Sequence, residues 1–213
     1  VNGVDLQYFD PAVFSSSDKE DFRKKLNINQ NDFIFLFVGR LVGDKGINEL
    51  TQAFLQVNDK FPDTKLLLVG PFEEQLDPLL PAVKSEIEQN PSIVSLGFQK
   101  DVRPYFAVAD VFVFPSHREG FPNVLLQAGA MGLYSIVTDI SGSNAIVKNG
   151  INGQIIAVNR KDELALNLEN ILRKKQDLAK SKNVCRSLIK ENYDQYYVWD
   201  CIKNKYYSLV DNN

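Results

Sequence analysis

Cysteine, histidine, methionine and tryptophan are scarce in this sequence of 213 residues, with two Cys and one each of His, Met and Trp. The two cysteines, Cys185 and Cys201, stand in a C-terminal stretch of helical pattern without CxxC or metal-ligand spacing. That excludes a disulfide framework and a zinc site and fits a reducing, cytosolic setting. Charge of one sign is lacking too: 24 Lys and Arg against 27 Asp and Glu leave a net charge of -3. No basic stripe exists to neutralise a nucleic-acid backbone, so no nucleic-acid partner is expected. The longest apolar runs, such as Phe33 to Val38, are strand-sized and far below the ~20 residues of a membrane span. The N-terminus has neither the basic n-region nor the apolar h-region of a secretory signal. It opens abruptly, with Val1-Asn2-Gly3-Val4-Asp5, as though cut from something longer.

What is present is a globular composition, 44% apolar and 24% charged, in a chain long enough for one sheet with flanking helices to bury a core. From Phe33 onward, short β-rich runs alternate with amphipathic helical stretches. The expected strands are Phe33 to Val38, Lys65 to Val69, Ile93 to Leu96, Asp110 to Phe114, Tyr134 to Thr138 and Gln154 to Ala157. The expected helices between and after them are Ile47 to Asn58, Leu76 to Gln89, Val102 to Ala109, Asn123 to Met131 and Asp162 to Lys175. This alternation predicts an α/β fold, a doubly wound, Rossmann-like parallel sheet of about six strands. Residues 1–30 read as a linker and a lead-in helix (Asp18 to Leu26), 31–177 as the sheet domain, and 178–213 as C-terminal helices. In the last segment Tyr193, Tyr196, Tyr197, Trp199, Tyr206 and Tyr207 crowd together. Either that segment packs on its own core or it reaches towards a partner domain.

Ligands of open parallel sheets bind at the carboxyl ends of the strands, and three loops there carry distinctive residues. After the first strand comes Gly39-Arg40-Leu41-Val42-Gly43-Asp44-Lys45-Gly46, then a helix. Glycines allow close backbone approach, a helix start offers free N–H groups, and Arg40 with Lys45 adds two cations, a combination suited to a diphosphate. The pattern is neither Walker A nor G-x-G-x-x-G, and a plain turn with solvated charges is the alternative. After the fourth strand comes Pro115-Ser116-His117-Arg118-Glu119-Gly120-Phe121-Pro122-Asn123. Pro122 is expected in the first helical turn, leaving the N–H groups near Gly120 and Phe121 for an anion or a sugar oxygen. Glu119 could instead be an ordinary cap. His117 suits a structural or binding role better than acid–base chemistry. Gln127 follows about two turns along the helix. The third loop, Leu96-Gly97-Phe98-Gln99-Lys100-Asp101, offers exposed main-chain groups to a flat base edge.

Taken in order, several short motifs resemble the donor domain of GT-B-fold, family-four retaining glycosyltransferases. They are Asn2-Gly3-Val4-Asp5 with Phe9-Asp10-Pro11, Gly39-Arg40 with Lys45-Gly46, Leu68-Val69-Gly70, Ala109-Asp110-Val111, Pro115-Ser116 with Glu119-Gly120-Phe121-Pro122, Thr138-Asp139, and Asn149-Gly150 with Asn152-Gly153. The stretch from Phe114 to Ala130 is most similar to enzymes of surface-polysaccharide assembly.

The resemblance implies that Arg40 and Lys45 neutralise the donor diphosphate without a metal, and that Glu119 hydrogen-bonds the transferred sugar. It implies that Gly39 and the main chain of Gly120, Phe121, Pro122 and Asn123 line the donor, that Gly97, Phe98 and Gln99 border the base, and that Gln127 faces the ribose. No cofactor is implied. A nucleotide-diphosphate sugar is the substrate, with a UDP-sugar expected, and the acceptor is a glycan or lipid-linked glycan. The acceptor-binding N-terminal domain of the family is not in this sequence, so the chain is expected to bind donor better than it turns over. A cytoplasmic location is implied, with the full-length protein at the inner face of the membrane. Three positions depart from the family: Gln127 replaces a glutamate, Ala145 stands where a glutamate is usual, and Tyr134 where a proline is common. The alternatives are a non-catalytic nucleotide-sugar-binding module or another GT-B enzyme, such as a nucleotide-sugar epimerase or a phosphorylase.

Overall fold

Strands buried on both faces need continuous apolar runs rather than alternation, and the sequence supplies them. In the computed structural model, which describes residues 2–73, 75 and 77–210, six strands form one sheet, with β1 and β4 apolar throughout. The strands are β1 (Phe33–Val38), β2 (Thr64–Val69), β3 (Ile93–Ser95), β4 (Val111–Phe114), β5 (Tyr134–Thr138) and β6 (Gly153–Ile156). All pairs are parallel, in the order β3-β2-β1-β4-β5-β6. That is the doubly wound arrangement expected from the sequence, and its strand order reverses between β1 and β4, the place where open α/β sheets hold ligands.

Nine helices, counted among the described residues, cover the sheet: α1 (Ser16–Lys25), α2 (Ile47–Asn58), α3 (Pro81–Gln89), α4 (Arg103–Val108), α5 (Asn123–Ala130), α6 (Ser141–Ile146), α7 (Lys161–Arg173), α8 (Leu178–Tyr193) and α9 (Gln195–Val210). Helix α2 packs on α3 and α7, while α5 packs on α8 and α4 on α1. Between them lies a core in which Ile34 to Phe37, Leu66 to Leu68 and Val111 to Val113 are fully buried. Phe37 stacks on Phe114 at 5.8 Å and Phe112 on Phe114 at 5.9 Å between ring centroids, which binds β1 to β4 at the switch point.

The third helix begins later than expected. Leu76, its expected start, lies outside the described residues, as does Val1. Pro81 sits at the first helical position and holds Leu80 in an extended conformation, so the helix starts there. Helix α6 has no counterpart among the expected elements.

The chain ends are tied together. The Val4 N–H donates to the Tyr193 carbonyl at 2.8 Å, and the Gln195 N–H donates to the Val4 carbonyl at 3.1 Å. Arg186 of α8 donates to the carbonyls of Leu6 at 2.9 Å, Phe9 at 2.7 Å and Ala130. Among the described residues, no helix is long and apolar enough to cross a membrane.

Candidate functional site

Because every strand runs the same way, the loops after β1, β3 and β4 open along one edge of the sheet, as the sequence led us to expect. The loop after β1 turns through a short 3-10 segment, Gly43–Lys45, and reaches α2 through Gly46 at φ 70°. A side chain at Gly46 is excluded twice over: the conformation is left-handed, and a Cβ would lie 2.1 Å from the Pro115 carbonyl oxygen. This close approach seats the β1 loop on the β4 loop.

Several hydrogen bonds lock the two loops together. The His117 N–H donates to the Asp44 carbonyl at 2.8 Å, and Ser116 Oγ lies 3.3 Å from the same oxygen. At the centre, Lys45 Nζ donates to Glu119 Oε1 at 2.7 Å, and Ser116 Oγ approaches that oxygen at 3.1 Å. The Lys45 and Glu119 side chains are 13% and 19% exposed. They are sheltered enough to strengthen the pair, yet open enough for a ligand to reach.

Arg40 lies further out. Its Nη1 donates to Glu73 Oε2 at 2.8 Å, with the two side chains 45% and 31% exposed. The hydrogen bond that Arg40 donates to Glu73, together with that carboxylate's charge, raises the guanidinium's pKa above its ordinary value, with smaller contributions from Asp44 and Glu119. Glu73 belongs to the loop after β2, which the bridge between Leu41 and Phe72 lays beside the β1 loop.

Free main-chain donors are present, though not all where expected. The N–H groups of Gly43 and Asp44 are taken by Asp77, through its carbonyl at 3.1 Å and its Oδ2 at 2.5 Å. Those of Ile47, Asn48 and Glu49, which open α2, have no partner among the described residues. The same holds for Gly120, Phe121, Asn123 and Val124 around the start of α5.

The place expected of Pro122 needs correction. Pro122 is the residue before the first turn of α5 rather than within it, extended at ψ 99° and buried. Glu119 does not cap that helix, since its carboxylate is committed to Lys45. Phe121 offers only its main chain, because its ring packs 5.9 Å from that of Tyr193. The Asn123 amide oxygen is occupied by Asn2 at 2.9 Å. Gln127 lies in the second turn of α5, half-buried, with no hydrogen bond to its side-chain amide among the described residues.

The third loop takes the shape its glycine predicts. Gly97 has φ 61° and its carbonyl accepts from the Gly70 N–H at 2.9 Å. Gln99 folds back to donate to the Leu96 carbonyl at 2.7 Å, and Phe98 stands 76% exposed. His117 Nε2 lies 3.5 Å from Glu49 Oε2. Gly39 donates to the Val69 carbonyl at 2.9 Å, at the end of the sheet. Among the described residues no group of three or more His, Cys, Asp or Glu could hold a metal ion.

Sequence reasoning missed three contributors. Glu73 and Asp77 come from the β2 loop, and Gly142, at the start of α6, packs under the Glu119 loop. A Cβ on Gly142 would lie 2.6 Å from the Glu119 carbonyl oxygen and 2.9 Å from that of Gly120. The adjacency of β1 and β2 was the available signal for the first two.

This fold recurs in known proteins. The chain is 33% identical, over 99% of its length and 54% of the relative's, to UDP-Gal:alpha-D-GlcNAc-diphosphoundecaprenol alpha-1,3-galactosyltransferase of Escherichia coli. It is 29% identical, over 98% of its length and 53% of the relative's, to the capsular polysaccharide biosynthesis glycosyltransferase CapM of Staphylococcus aureus. Anabaena HepE in complex with UDP and glucose superposes with a TM-score of 0.86 at 23% identity, over 97% of this chain and 55% of that one. The chain thus spans about half the length of the relatives it matches. The family description of glycosyl transferases group 1 matches residues 18–193, from α1 to the end of α8. The chain belongs to the group 1 glycosyl transferases, and its six-stranded sheet is one domain of their GT-B fold.

Proposed function

We propose that this chain is the donor-binding half of a retaining glycosyltransferase that transfers a sugar from a UDP-sugar to a lipid-linked glycan. The observation that carries this reading is the Lys45–Glu119 pair at 2.7 Å, set at the switch point of the sheet. It puts a cation suited to a diphosphate beside a carboxylate suited to sugar hydroxyls. Arg40 and Lys45 neutralise the diphosphate without a metal and stabilise charge on the leaving nucleotide. Glu119 orients the sugar. The free N–H groups at the start of α5 meet phosphate or sugar oxygens. The Gly97 to Gln99 turn borders the uracil, and Gln127 meets the ribose. The activity named for the Escherichia coli relative, transfer of galactose from UDP-Gal to a GlcNAc-diphosphoundecaprenol acceptor, supports both the donor and the acceptor class.

Transfer requires an acceptor hydroxyl held against the anomeric carbon, a task we assign to an N-terminal domain outside this chain. Alone, the chain binds donor and turns over little. We place the full-length protein in the cytoplasm at the inner face of the membrane, where a lipid-linked acceptor is met.

Calorimetric titration of UDP into the chain in the presence of EDTA tests the reading. Binding should persist with the chelator and vanish in the Arg40→Ala, Lys45→Ala double variant. A strict magnesium requirement, or unchanged affinity in the double variant, contradicts it.

A further inference from the structure

The more exposed of the two candidate diphosphate cations is not vacant. Glu73 Oε2 accepts from Arg40 Nη1 at 2.8 Å, and this carboxylate is contributed by a different loop, after β2. The bridge between Leu41 and Phe72, with the Leu41 N–H donating to the Pro71 carbonyl at 2.8 Å, fixes the two strands of chain side by side. Glu73 therefore faces Arg40 through main-chain register, not by chance contact of two long side chains.

A guanidinium binds a carboxylate and a phosphate through the same donor fork. Phosphate oxygens and Glu73 thus compete for one set of N–H groups. Glu119 stands in a different relation to its own partner. The Lys45–Glu119 pair is sheltered, and Ser116 also approaches the Glu119 oxygen, so that carboxylate is built into the floor of the site. Glu73 has no second hydrogen bond among the described residues and is 31% exposed, so it can swing into solvent at small cost.

We propose that Glu73 is a built-in counter-ion for Arg40 that the donor's diphosphate must displace, so that it lowers affinity for nucleotide and speeds release of the nucleoside diphosphate product. The inference rests on the donor-binding reading of Arg40. It adds a residue that tunes specificity without touching the reacting atoms. In the empty protein Glu73 keeps Arg40 oriented and its charge balanced; in the bound state the phosphate takes its place. Ligands too weakly charged to displace it gain nothing from Arg40.

The test is UDP titration of the full chain as wild type, Glu73→Gln, Arg40→Ala and the double variant, at low and at high salt. An exposed pair of this kind sets the scale, so Glu73→Gln should bind UDP about two- to five-fold more tightly. The gain should shrink at high salt and disappear in the Arg40→Ala background. A gain that survives in that background identifies a general field effect and overturns displacement. Unchanged or weaker UDP binding in Glu73→Gln, with Arg40→Ala still weakening it, overturns the counter-ion role alone. Arg40→Ala without effect on UDP overturns the donor reading as well.

Discussion

At the scale of single residues, Gln127 stands where the resemblance to the family implies a glutamate in the proposed site. A glutamine offers one neutral acceptor and two donors, whereas an ionised glutamate accepts hydrogen bonds roughly twice as strong. Among the described residues nothing accepts from the Gln127 amide, so no local partner opposes a carboxylate there. Gln127→Glu should therefore bind UDP several-fold more tightly, measured by titration beside the wild type. Equal affinities would mean that residue 127 does not face the ribose, and weaker binding would reveal an unseen acceptor. Asp110, just before β4, carries a second consequence. Its Oδ2 accepts from the Ile34 N–H at 2.8 Å and lies 3.7 Å from Arg23. Burial nevertheless pushes its carboxyl above the ordinary value of 3.8, outweighing the Ile34 hydrogen bond and Arg23. A raised carboxyl contributes stability that is complete below the unfolded value and is lost as pH rises through the folded one. Wild type should therefore lose stability relative to Asp110→Asn as pH rises from about 4 towards neutrality. Urea unfolding at both ends of that range would show it, and parallel pH profiles would contradict it.

At the scale of elements, the site is an assembly of loops, and α6 is the piece that supports Glu119 from below. Gly142 leaves no room for a methyl group against the Glu119 and Gly120 carbonyls. Gly142→Ala should push that loop off Lys45, weakening UDP binding about ten-fold or more, by analogy with the small displacements that disrupt preorganised sites. Global stability should fall less, because the change is at a helix start. A variant that unfolds outright, or binds UDP normally, would show that the loop does not rest on α6. Helix α6 itself was illegible: Ser141-Gly142-Ser143-Asn144 has no apolar period, and its six residues are fixed by packing rather than propensity. The strands were legible to within a residue, because Phe33 to Val38 and Val111 to Phe114 are apolar throughout and the others are short β-rich runs bounded by turn residues. So were Arg40, Lys45 and Glu119 as candidates, since each sits in a loop at a strand's carboxyl end. Their partners were another matter. Glu73 lies 33 residues from Arg40 and Glu119 lies 74 from Lys45, and only the strand order brings each pair together.

At the scale of the whole molecule, the outermost described helix is the least covered. Tyr196, Trp199, Tyr206 and Tyr207 of α9 are each more than half exposed, beyond the residues matched by the family. The central sheet strands, by contrast, are buried on both faces. The central claim is that this edge receives a nucleoside diphosphate between Arg40 and Lys45. A crystal structure of the chain grown with UDP tests it most directly. The account predicts phosphate oxygens within hydrogen-bonding distance of both cations, Glu73 turned away from Arg40, and uracil against the Gly97 to Gln99 turn. UDP bound elsewhere, or bound at this edge with Arg40 and Lys45 still held by Glu73 and Glu119 and no phosphate between them, would contradict it.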